Sequence, residues 1–200
     1  MPAAVRKPWL ALAALVTAGF DFAAFVLLQL VQPEVNVLHE PTSAYVHGAF
    51  GIASSLAGAA VGIGGLALAA AAWGAVRDAG AKAGAALLGV FGIAKLAQAF
   101  FPIDAAGEST AAGATHNLLG NLAFFVLPVA AVLVTRAIAH ATGHGASPWP
   151  AVAAWTLVAT TALVLAGDGL GFFGLAQRIY LLSAMGWTAL AAGWLWRPKN

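Results

Sequence analysis

The chain has no cysteine, and it is short of charge: nine Lys or Arg and seven Asp or Glu among 200 residues. The missing cysteine excludes disulfides, thiolate metal sites and a Cys nucleophile, and leaves the redox compartment open. The missing charge excludes more. Charged residues make up 8% of the chain, against about a quarter in a soluble domain, so its surface cannot be dressed for water. The 62% of hydrophobic residues exceeds what one core of this size absorbs, because a small domain still exposes a large share of its surface. The surrounding solvent is therefore lipid. Also absent is any basic run. The pI is near 9.3, yet Lys and Arg are scattered singly, so there is no stripe for nucleic acid.

What is present is apolar sequence in long pieces. Six stretches, at roughly 8–31, 46–75, 83–101, 114–138, 150–168 and 175–196, approach or exceed the ~20 residues that cross a ~30 Å hydrocarbon core. The fold class is all-α: a polytopic membrane protein, a bundle of six transmembrane helices in one domain over residues 1–200. Arg6 and Lys7 ahead of the first run resemble a signal peptide. The run continues past Asp21 as "FAAFVLLQLV" with no clear cleavage site, so it reads as a retained helix. With six spans, Arg6, Lys7, Arg77, Lys82, Arg136, Arg197 and Lys199 share one side. The other side carries Glu34, Glu40, Asp104, Glu108 and Asp168. The positive-inside rule then places both termini in the cytoplasm, in a bacterial-type plasma (inner) membrane.

The second span carries Gly48, Gly51, Ser55, Gly58, Gly62 and Gly65 at alternating spacings of three and four. In lipid, helices associate where small residues let backbones approach, so this seam is expected to pack against a neighbour. The "GIGGLA" within it matches a dinucleotide fingerprint only superficially, since no strand precedes it. Trp9, Trp149, Trp187, Trp194 and Trp196 are expected in interfacial belts. In "HATGH", His140 and His144 have the i,i+4 spacing of a helical metal pair, but Gly143 and Pro148 end the helix there, and a solvated loop is the reading.

Polar residues inside spans are costly and face a bundle interior or a wet cavity. Asp21 and Lys95 lie at similar depths in the first and third spans, so an ion pair is expected, either as a structural clasp or as a substrate-binding or proton-carrying pair. Gln98 follows Lys95 on the same face. His47, His116 and Arg178 share one outer layer, and Asp104 follows the Pro102 that ends the third span. Asn117 and Asn121 adjoin His116. Asp104, His116 and Arg178 are expected to converge as the rim of an outward-opening polar crevice, with Lys95 and Asp21 deeper. The bland alternative has Asp104 bridging Arg178 and His116 satisfying a loop carbonyl.

At these residues the chain resembles the DUF998 family, small six-helix integral membrane proteins catalogued as a domain of unknown function. The resemblance lies in "TSAYVHGAFG", "FPID", the His at the top of the fourth span and "GLAQRIYLL". It implies that Ser43, Tyr45, Pro102, Asp104, His116 and Arg178 match the family's polar positions. Members commonly have Thr between the Pro and the Asp, where this chain has Ile103.

The leading functional expectation is an amphiphilic or lipid-like ligand in the crevice, in a binding or transport role. Its anionic headgroup would meet Arg178 and Lys95, since the guanidinium fork suits phosphate. Membrane lipids are the expected partners; nucleic acid is not, and an oligomer remains open. The second expectation is an intramembrane hydrolase. It has either a metal on His39, His47, His116 and Asp104 or Ser43 served by His116 and Asp104; no HExxH motif supports it. Haem between His47 and His116 and a structural subunit of a membrane complex are the others. The sequence names no cofactor.

Overall fold

The protein's computed structural model describes residues 7–76, 78–142 and 148–196. Arg6, Arg77, Arg197 and Lys199, the bulk of the orienting charge, lie outside the described residues, as do His144 and the side chain of His140. Six helices follow one another: α1 Pro8–Val31, α2 Gly51–Ala75, α3 Ala79–Gln98, α4 Ala111–Thr142, α5 Trp149–Leu170 and α6 Phe173–Trp196. All six are long and apolar enough to cross a membrane. A 3₁₀ helix, Thr42–His47, lies between α1 and α2. The second span therefore starts later than its apolar run suggests. With six spans among the described residues, the start of α1 and the end of α6 share one face, here the terminal face. The α1–α2, α3–α4 and α5–α6 connections share the other, the far face.

Each helix packs on its neighbours in sequence, and α6 returns to pack on α1. The result is a closed ring rather than two stacked layers. The terminal half of the ring is filled by Leu127, Val134, Leu157, Trp187 and small alanines in one cluster. Trp187 departs from the expected belt. It is fully buried, and its indole N–H donates to Thr135 Oγ1 at 3.0 Å, because an indole deep in a bundle must find an acceptor. Trp9, Trp149 and Trp196 are exposed at the terminal face, as a belt requires.

Local chemistry sets the helix ends. Asp78 caps α3 by accepting from Ala81 N at 2.8 Å, satisfying one of the first-turn donors that no helical carbonyl reaches. Thr110 caps α4 in the same way, accepting from Gly113 N at 3.0 Å. Gly171, at φ 76°, ends α5 in the left-handed region, where a Cβ is penalised. That turn allows α6 to begin two residues later.

The glycines of α2 divide their work. A Cβ on Gly62 would come 2.5 Å from Leu96 N, and one on Gly65 would come 2.9 Å from the Phe91 ring. In return, a Cβ on Gly92 would sit 2.7 Å from Leu66 N. These three positions make the α2–α3 contact a close backbone approach. Gly58 is different, since its nearest neighbour would be Ala99 Cβ at an ordinary 3.8 Å. The expected seam is thus real over Gly62 and Gly65. At Gly58 it opens onto empty space.

Candidate functional site

That space is a cavity of about 250 Å³ in the far half of the ring. Helices α1, α2, α3, α4 and α6 supply its wall, and α5 does not reach it. The wall is largely apolar, with Phe25, Val61, Phe91, Phe124, Leu181 and Met185 among its residues. The 3₁₀ helix roofs it through Thr42, Ser43, Tyr45 and Val46, and Phe101, Pro102 and Ile103 close the adjacent edge. Into this apolar chamber come Asp21, Lys95, Gln98, His116, Asn117, Asn121, Gln177 and Tyr180.

The lysine makes a chain of contacts. Lys95 Nζ donates to Gln98 Oε1 at 2.6 Å, and Gln98 Nε2 donates to the His116 carbonyl at 3.0 Å. The Gln98 amide lies directly over Gly120 of α4, where any side chain would push it aside. Asp21 and Lys95 share the cavity and lie close enough to feel each other's charge. The ion pair expected from their depths is nevertheless not a direct one. Lys95 gives its hydrogen bond to Gln98, three residues on along the same helical face.

The expected rim is not assembled. Neither Asp104 nor Arg178 lines the cavity. Asp104 instead holds the α4 cap, accepting from Thr110 Oγ1 at 2.6 Å and from Thr110 N at 3.1 Å. Its carboxylate lies against Gly113, where a Cβ would collide with it. The side-chain bond from Thr110, then the backbone bond, then His47 when charged, hold this carboxyl below the ordinary carboxylate range. A carboxylate at a helix N-terminus also meets the positive end of the dipole.

Arg178 turns to the α1–α2 connection. It is 3% exposed, and its Nη1 donates to the carbonyls of Val37, Glu40 and Gly174 at 3.1, 2.8 and 3.0 Å. Nε reaches Gln29 Oε1 at 3.1 Å, and Nη2 reaches the Tyr45 hydroxyl at 3.2 Å. The reason it misses the cavity is angular. Gln177 faces the chamber, and the next residue on a helix is turned about 100° away. Gln177 itself accepts from Thr42 N at 2.7 Å, so two adjacent residues of α6 latch the same connection from two sides. Gly174 helps, because a Cβ there would strike the Glu40 backbone.

The remaining candidates separate as follows. Ser43, Tyr45, His116 and Asn117 line the cavity, whereas His47 does not. His116 Nδ1 lies 2.7 Å from the Phe101 carbonyl; a carbonyl only accepts, so Nδ1 carries the proton. This is the bland alternative for His116. His39 Nδ1 is 2.7 Å from the Gly171 carbonyl. Among the described residues no three His, Asp or Glu side chains gather as metal ligands, so His39, His47, His116 and Asp104 do not form the expected hydrolytic centre. The Ser43 triad fails too, since Asp104 is engaged by Thr110 and the His116 Nδ1 by Phe101.

Tyr180 was not singled out from the sequence. It lines the cavity at 3% exposure, its ring 4.7 Å from that of Phe124, and its hydroxyl has no hydrogen-bond partner among the described residues. Such a group costs about 1–3 kcal/mol while it stays unpaired. The signal was available: Gln177, Leu181, Ala184 and Thr188 follow i, i+4, i+7, i+11 spacing, and all line the cavity. Tyr180 lies on that stripe, three residues from Gln177.

A family model described as "Protein of unknown function (DUF998)" matches residues 9–194. The chain belongs to the DUF998 family. No curated protein and no solved structure matches it. In this DUF998 protein the four segments that carry the resemblance are far apart in sequence yet meet at one place. "TSAYV" forms the roof, "FPI" the edge, His116 the top of α4, and Gln177, Tyr180 and Leu181 of "GLAQRIYLL" the α6 wall.

Proposed function

We propose that this protein holds a small amphiphilic molecule in the central cavity, on the outward side of a bacterial-type plasma membrane, with both termini cytoplasmic. The observation that carries the reading is a chamber of about 250 Å³, apolar in most of its wall, into which a carboxylate, an ammonium and several amides project. Ligand sites have this composition: apolar walls with a few convergent polar groups. Ionisable side chains inside a membrane span are retained against a substantial cost, which is the mark of a functional interior. The volume is just below the ~300–1,000 Å³ of sites for drug-sized ligands, so the occupant is one small molecule or one chain end rather than a whole two-chain phospholipid. The orientation is supported by Lys7, Lys82 and Arg136 at the terminal face, while the far-face connections 32–50, 99–110 and 171–172 carry no Lys or Arg.

The test is native mass spectrometry of the protein taken from membranes without delipidation, beside a Gly58→Leu variant. Gly58 lines the cavity with room beside it, so leucine fills the chamber without prising helices apart. The expected result is a bound amphiphile on the parent and its loss from the variant. Equal adducts on both proteins, or none on either, would count against the reading.

A further inference from the structure

The leading sequence expectation was an anionic headgroup gripped by Arg178 and Lys95, and the geometry removes one of those two cations. Arg178 lies outside the cavity wall, and all three guanidinium nitrogens are engaged by neutral oxygens. Among the described residues the charged side chains that line the cavity are then Asp21 and Lys95, one of each sign. They lie close enough to interact electrostatically. The chamber is therefore balanced before anything enters it.

We propose that the cavity selects an uncharged amphiphile carrying a hydroxyl or carbonyl at its polar end, and discriminates against both anionic and cationic headgroups. This rests on the cavity being a ligand site. A net charge brought into a largely apolar interior needs an opposite charge of its own; here the two candidate counter-charges already share the chamber. A neutral hydroxyl or carbonyl meets no such penalty. It finds donors in Lys95, which spends one of its three N–H bonds on Gln98, and donors and acceptors in the Asn117 and Asn121 amides. Neither amide makes a side-chain hydrogen bond among the described residues, and both line the wall. Beyond them, the unpartnered Tyr180 hydroxyl is a buried polar group on the same wall. The apolar remainder of the chamber takes the chain.

The experiment uses the full chain in lipid nanodiscs and three eight-carbon probes: 1-octanol, octyl phosphate and octyltrimethylammonium. Binding is read by native mass spectrometry at about pH 8, above the ordinary imidazole range of about 6.5, so that His116 adds no charge. For the parent, octanol should occupy the protein at roughly tenfold lower concentration than either ion, since stranding a charge costs more than the 1.4 kcal/mol that a factor of ten represents. Asp21→Asn leaves Lys95 unbalanced and should move octyl phosphate ahead of octanol. Lys95→Gln leaves Asp21 unbalanced and should move octyltrimethylammonium ahead. Parent protein that prefers octyl phosphate, or a ranking that neither substitution changes, overturns the neutral-ligand proposal while the cavity remains a ligand site. If no probe binds the parent, or Gly58→Leu binds all three as well as the parent does, the cavity reading itself falls and takes the proposal with it.

Discussion

A buried guanidinium needs an acceptor for every nitrogen, and Arg178 finds its acceptors in backbone carbonyls, an amide and a phenol rather than in a carboxylate. Glu40 supplies its carbonyl to this arginine while its carboxylate is occupied by Asn36 N. Hydrogen bonds to a charged group are worth more than neutral ones, and here they fasten the α1–α2 connection onto α6. Arg178→Leu should cost about 2–4 kcal/mol, because several buried carbonyls lose their donor at once. Arg178→Lys should recover only part of this, since an ammonium has three donors and no planar fork. Thermal unfolding in detergent measures the loss, and limited proteolysis between Glu34 and Pro41 reports whether the connection has come free. A lysine variant as stable as the parent would show that charge alone, and not the fork, holds the latch. The sequence marked Arg178 as a polar residue needing inward partners, and that was correct. Which partners it meets depends on a rotation of about 100° between adjacent helical positions, and nothing in the local sequence sets that rotation.

At the level of the helix, small residues decide how closely elements approach. Gly62 faces the Leu96 backbone and Gly65 faces Phe91 and Gly92, whereas Gly58 faces the cavity. The three follow one another at spacings of four and three, on one helical face, and would be treated alike by any periodicity argument. Gly62→Leu should destabilise the bundle by about 1–3 kcal/mol or more, since overpacking drives two backbones apart. Gly58→Leu should leave stability within about 0.5 kcal/mol, the range of substitutions that meet no packed neighbour. Thermal unfolding of the two purified variants checks the contrast. Similar losses in both would mean that the cavity is closed at Gly58. The α4 cap is the opposite case, where local sequence was read too ambitiously. Asp104, Thr110 and Gly113 form a helix start through contacts within nine residues of one another, and a carboxylate used in that way is withdrawn from any shared site.

The whole molecule is a ring whose closure lies in the packing of α6 on α1. Closure is what makes a cavity, because six helices packed as a sheet would have no interior to enclose. Reporter fusions after Asp78, in the α2–α3 connection, and after Gly107, in the α3–α4 connection, should report opposite sides of the membrane, the first cytoplasmic and the second external. The same side for both would break the alternation on which the ring rests. The six spans and the membrane setting were legible in the sequence by itself, because the cost of placing polar backbone and charge in lipid acts on every residue of a span. Span ends were legible to within a few residues for the same reason, except before α2. There an apolar run hid a 3₁₀ helix that only the fold reveals as a roof. That Asp21, Lys95 and His116 share an interior followed from depth along each helix, which sequence position sets at ~1.5 Å per residue. Their neighbours did not follow, since the rotation of each helix about its axis is decided by side-chain packing between helices. That rotation turned Arg178 out of the cavity and Tyr180 onto its wall, and it brings Asp21 and Lys95 to the same chamber.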